Sequence, residues 1–355
     1  MVSVQTEGPA NQSGDWFRSV LSFLKTHPVI CLLLLTPGIP EYLSSSSPLN
    51  AIVLNPFMFL FQLAANLGLY GPGVLLIHEG KVRWSKGWAS VLILGAAYGI
   101  LEEGVALSTL FNPDAGPVGS LGQYGHWLGV NWVWAAGIVP FHAIFSVSVP
   151  ILLLGLALPR TVEGRLLSTR GVAGASAILV ADVLILMAVV ARASGYWMGW
   201  GLLLSSLAVM GFLVLAGRRV SARALSTRTE LPLTTPRRMA IIGVAFFPAV
   251  FLTQSIGRGA GVSPSLDFVL VLLVQALFLF YVIRKCGSRG NARVLLSLSL
   301  GLILPIAAIG VIAELPLPLT LLADVALALF FRKLWEVSGE PPDREGLLGR
   351  PSATT

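Results

Sequence analysis

Residues 86–111 read KGWASVLILGAAYGILEEGVALSTLF, and this stretch decides the fold. Between Trp88 and Phe111 only Glu102 and Glu103 are charged. Its apolar residues cover every helical face, with no polar stripe to meet water. A run of about 20 apolar residues spans the ~30 Å hydrocarbon of a bilayer as one helix. The stretch therefore reads as a membrane helix that carries an adjacent pair of acids.

The rest of the chain repeats the pattern. Of 355 residues, 55% are hydrophobic and 12% charged, and the mean hydropathy is +0.80. A soluble domain carries about twice that share of charge. Apolar segments fall at about 28–43, 50–78, 86–111, 131–158, 172–193, 197–217, 239–256, 265–284, 293–313 and 317–332. The expectation is an all-α, polytopic transmembrane bundle of about ten segments, within a range of eight to ten. Pro37 and Pro40 break the first segment, which reads as re-entrant, and the last is short.

Lysine and arginine set the orientation, because short cytoplasmic loops collect them. With both termini inside, only Arg192 and Arg258 of the 24 basic residues fall outside. Residues 1–27 then form a cytoplasmic N-terminal segment, 28–335 the membrane domain, and 336–355 a disordered cytoplasmic tail. Within the membrane domain, 217–238 is a basic inner loop. Residues 112–130 form an outer loop without Lys or Arg, expected to dock on the outer membrane face. The net charge of +7 does not imply nucleic acid, because the basic residues lie in short gaps between apolar runs. Membrane lipid is the expected partner, in the cell membrane. Cys31 and Cys286 are too far apart in sequence for a CxxC or zinc motif, and read as inert thiols.

Ionisable groups inside a bilayer are costly, so each marks a candidate site. Glu102 and Glu103 are the densest case. Gly95 and Gly99 precede them as a GxxxG pair, which lets another helix approach closely. In the next segment Asn131, Ala135, Ile138, His142 and Ser146 share one helical stripe. Glu103 and His142 lie at similar depths, ~12 and ~16 Å below the outer ends of their helices at 1.5 Å per residue. Asn55, Gln62 and Asn66 lie on one face of the second segment. Asp182, Glu314 and Asp324 lie in the outer half of their segments, and His78-Glu79 reads as an interfacial pair at the inner rim. The catalytic candidates are Glu102, Glu103 and His142, with Asn131, Asn55, Gln62, Asn66 and Ser146 in support. A divalent metal is a possible cofactor, with His142 and Glu103 as ligands and Asn131 or His126 to complete the set.

These residues resemble part of the signature of the CAAX-type endopeptidases and bacteriocin-processing intramembrane proteases. That signature is Glu-Glu-x-x-x-Arg on one helix, Phe-x-x-x-His on the next, and His-x-x-x-Asn/Asp on a later one. GILEEGVAL supplies the pair at Glu102 and Glu103, and His142 follows on the next segment. The match covers about 60 residues. Leu107 stands at the Arg position, Ile138 at the Phe position, and no histidine follows His142. The resemblance implies a membrane-embedded hydrolase in which acids and histidine activate water against a peptide bond. Two other readings stay open. One is a proton- or cation-coupled transporter of a small solute. The other is a non-catalytic membrane protein that binds lipid or a partner.

Overall fold

In the computed structural model the apolar stretches are helices. It describes residues 26–225, 234–286 and 291–338, with positions 19, 22 and 23. Most of the expected N-terminal segment, the middle of the 217–238 loop and nearly all of the 336–355 tail lie outside the described residues. Helix α1 (Pro28–Pro37) runs into a π turn at Gly38–Tyr42. Then come α2 (Pro56–Arg83), α3 (Trp88–Ala106), α4 (Trp132–Ala157), α5 (Thr169–Ser194), α6 (Gly199–Arg219) and α7 (Pro236–Gly259). The last three long helices among the described residues are α8 (Pro264–Cys286), α9 (Ala292–Ala313) and α10 (Thr320–Val337).

Among the described residues, the eight helices α2–α9 are long and apolar enough to cross a membrane. The chain is a polytopic integral membrane protein built as an all-α bundle. The two remaining sequence segments differ for physical reasons. Pro28–Tyr42 is short, and α10 carries Asp324, Arg332, Lys333 and Glu336 within its 18 residues.

Local chemistry sets the helix ends. Asn55 Oδ1 accepts the Met58 N–H at 3.2 Å, and Pro56 opens α2 without needing a donor. Ser168 caps α5 at one end, and Gly195, with a left-handed backbone, closes the other.

Burial separates the centre from the lipid face. The apolar window of α3 is 72% buried, that of α6 only 6%. Helices α4 and α9 join α3 at the centre, with more than half of their windows buried. On the outside, Phe212, Leu204, Phe280 and Ile178 stand exposed, as lipid-facing side chains do.

Carboxylates fasten the loops. At one membrane face, Glu314 accepts from the Leu49 N–H at 2.5 Å and the Thr320 N–H at 2.9 Å. The turn after α1 is thereby tied to the α9–α10 connection. At the other end of α2, His78 and Glu79 are buried within the protein. Glu79 Oε1 accepts from the backbone of Leu166 and Leu167, and Oε2 pairs with Arg83 at 2.7 Å. His78 Nε2 reaches the Val162 carbonyl at 2.9 Å. The pair is buried because the α4–α5 connection folds back over it and supplies its partners.

Candidate functional site

The site forms where α3 crosses α4. A Cβ at Gly95 would lie 2.8 Å from the Ala143 Cα, and one at Gly99 3.0 Å from the Val139 carbonyl oxygen. Larger residues would hold the helices apart. The GxxxG pair thus sets the crossing, and Glu103 follows one turn after Gly99.

Both helices change winding at this point. Helix α3 is α-helical to Ile100 and π-helical over Leu101–Ala106. Helix α4 is π-helical over His142–Ser148. In α3 the Leu107 N–H bonds the Glu102 carbonyl, five residues back, at 2.9 Å. Such turns are rare and recur at functional sites. Neighbouring side chains on a regular α-helix diverge by ~100°. Here, on the widened turn, both carboxylates meet the same imidazole.

His142 Nε2 lies 2.9 Å from Glu103 Oε1, and Nδ1 lies 3.1 Å from Glu102 Oε2. Nδ1 is also 3.0 Å from Ser146 Oγ. All of Glu102, Glu103, His142 and Ser146 are buried. Glu102 Oε2 has no partner with hydrogen-bond geometry, so its contact with His142 is close but misdirected. A neutral imidazole carries one N–H. Carboxylate oxygens at both nitrogens therefore call for a second proton or a cation.

A third carboxylate, Glu41, enters from the π turn after α1. Tyr70 Oη is 2.6 Å from Glu41 Oε1 and also bonds Glu102 Oε1. A phenol has one proton to give, so one of these contacts needs a proton on the carboxyl side. Glu41 Oε2 accepts from Ser47 Oγ at 3.0 Å, and Asn66 Nδ2 donates to Ser47 Oγ at 3.0 Å. Across the cluster, Thr109 Oγ1 bonds Glu103 Oε2, and Trp134 Nε1 donates to Thr109 Oγ1 at 3.4 Å. The Tyr70 and Tyr98 rings pack 5.8 Å apart, each 6.3 Å from the imidazole.

The supporting candidates divide. Ser146 touches His142 directly, and Asn66 joins the outer edge of the network through Ser47. Asn55 is exposed and caps α2. Asn131 is buried at the start of α4, where it accepts from Trp134 N–H and bonds the Leu121 carbonyl. Eleven residues separate it from His142, ~16 Å along a helix. Gln62 is half-buried on α2, eight residues before Tyr70. His126 bonds the Phe111 carbonyl at 3.1 Å and stays in the 112–130 loop.

Sequence reasoning missed Glu41, Tyr70, Tyr98 and Thr109. Two had a signal. Tyr70 extends the Gln62–Asn66 stripe by four, and Tyr98 lies four before Glu102.

Glu102, Glu103 and His142 each offer a ligand atom, all within 4.8 Å of one another. One nitrogen and two oxygens suit a borderline divalent ion such as zinc, whose catalytic sites use three protein ligands and a water. The unpartnered Glu102 Oε2 fits that role. Such an ion would lower the pKa of its water to about 7. Comparison with family models, with curated proteins and with solved structures finds no match for this chain.

Proposed function

We propose that the protein is a membrane-embedded hydrolase of the cell membrane, divergent from the CAAX-type and bacteriocin-processing proteases. The observation that supports this is one imidazole held between two buried carboxylates on facing π turns. Two acids and a histidine are expensive in a bilayer as mere glue. In the reaction, a carboxylate of the pair takes a proton from water as the oxygen adds to a substrate carbonyl. His142 steadies that carboxylate and the charge growing on the carbonyl oxygen. The proton then passes to the leaving nitrogen as the C–N bond breaks. The cluster lies toward the end of α3 that the basic-residue count puts outside. This favours membrane or outward-facing peptides over cytoplasmic prenylated chains.

The test is reconstitution in vesicles with membrane-inserted peptides, with and without zinc, and products read by mass spectrometry. Cleavage is expected, and it is lost in Glu103→Gln and His142→Ala while the fold is kept. No cleavage by the parent under any condition overturns the reading.

One observation favours proton-coupled transport instead. Hydrogen bonds join Glu41, Tyr70 and Glu102 on one side and His142, Glu103 and Thr109 on the other, and Glu102 Oε2 and His142 Nδ1 stand 3.1 Å apart between them. Chains of acids and histidines serve as proton relays in membranes. Proton flux into vesicles that Glu102→Gln abolishes, without peptide cleavage, would select that reading.

A further inference from the structure

The outer loop ends in a feature that neither hydrolysis nor transport uses. Strands β1 (His126–Trp127) and β2 (Val130–Asn131) pair antiparallel, with Trp127 opposite Val130. Leu128 and Gly129 make the turn, at φ 50° and 76°. A two-residue turn with positive φ at both positions is a type I′ turn, for which Asn-Gly or Asp-Gly is preferred. Leucine is poorly suited to the first position, because its Cβ crowds the backbone there. It is also 72% exposed, beside Trp127 at 66%. A residue that is bad for its turn and bad for water has to be repaid by something it touches.

The surroundings say what that is. The hairpin is fixed, not loose. Trp132 Nε1 donates to the Trp127 carbonyl at 3.1 Å, and the Trp132 ring meets Phe268 of α8 edge-on at 6.4 Å. A Cβ at Gly129 would lie 3.3 Å from Leu202, in the first turn of α6, and one at Gly125 3.3 Å from Pro264, the first residue of α8. The tip therefore stands level with the ends where α6 and α8 enter the membrane. Trp132, Trp197 and Trp200 are exposed as well, and Trp200 lies two residues before Leu202. Tryptophan favours this interfacial depth. No Asp, Glu, Lys or Arg lies between Asp114 and Arg160.

We propose that Trp127 and Leu128 form a wedge seated in the lipid at the headgroup–acyl boundary, beside the first turns of α6 and α8. The partner is a lipid surface, bound through apolar area without charge. Seating should therefore not depend on anionic lipid or on salt. The inference does not rest on the hydrolase reading.

Spin labelling of Leu128→Cys and, as reference, exposed Ser120→Cys tests it in vesicles of neutral and of mixed anionic lipid. Both native cysteines are buried and should not react. At 128, collision with oxygen should exceed collision with a water-soluble nickel complex, and at 120 the order should reverse. The result should be the same in both lipids and at high salt. Greater access to nickel at 128 overturns the proposal. So does exclusion of both reagents, which would mean that protein, a second copy or another chain, covers the tip. If the cysteine variant misfolds, brominated lipid decides. It should quench the parent's tryptophan emission more than that of Trp127→Phe, and equal quenching overturns the proposal.

Discussion

His142 Nε2 lies 2.9 Å from Glu103 Oε1, across the contact between α3 and α4. The partners are 39 residues apart in sequence, on helices joined by the 112–130 loop. Their contact depends on how closely the two backbones approach, and on each side chain having its other atoms satisfied.

The close approach should be sensitive to one methyl group. Gly95→Ala puts a Cβ against the Ala143 backbone, and overpacking of this kind costs about 1–3 kcal/mol. Gly211→Ala, on lipid-facing α6, meets nothing within 4 Å and should be neutral or slightly stabilising. Thermal unfolding in detergent separates the two. Equal behaviour would mean that the crossing is looser than described.

Polarity at position 103 should outweigh hydrophobicity. Glu103→Gln keeps a side-chain acceptor, whereas Glu103→Leu leaves His142 Nε2 facing carbon and Thr109 with only the residue-103 carbonyl. Each stranded buried group costs about 1–3 kcal/mol. The leucine variant should therefore be the less stable, although leucine is the better membrane residue. The opposite order in a melting series would show that the cluster is not a buried network.

Pro140 and Gln275 should be coupled. Proline at 140 has no N–H for the Ala136 carbonyl, and Gln275 Nε2 donates to that oxygen from α8 at 2.7 Å. Gln275→Leu should cost about 1–3 kcal/mol by leaving the carbonyl unpaired. In a Pro140→Ala background the restored N–H takes over and the loss should shrink. A double-mutant cycle measures the difference, and strict additivity would refute the pairing.

Tyr70 and Glu41 should also fail to add. Tyr70→Phe and Glu41→Leu both remove the Tyr70–Glu41 hydrogen bond, and Tyr70→Phe removes the Tyr70–Glu102 one as well. Residues in one hydrogen-bond network couple by about 0.5–3 kcal/mol. The double variant should therefore lose less thermal stability than the sum of the two single losses, because the shared bond is lost only once.

Orientation is the remaining test. Ser120→Cys and Ser221→Cys both present exposed positions, on opposite sides if the basic loops are inside. An impermeant maleimide should label 120 from outside only and 221 from inside only. The reverse pattern would invert the topology.

What the sequence determined by itself was the solvent and the currency of the fold. Long apolar runs such as 86–111 have one low-energy form in lipid, because only a helix bonds all its own backbone groups. The cost of charge in that solvent singled out Glu102, Glu103 and His142. Only the tertiary structure decided which polar groups share a site. Glu41 lies 61 residues before Glu102 and joins it through Tyr70. Asn131 shares a stripe with His142 yet stays at the end of α4. Helical spacing tells which residues share a face of one helix. Which helix that face meets, and at what height, follows from packing between distant segments. The turns that aim both acids at one imidazole are likewise π turns, formed where α3 and α4 press together.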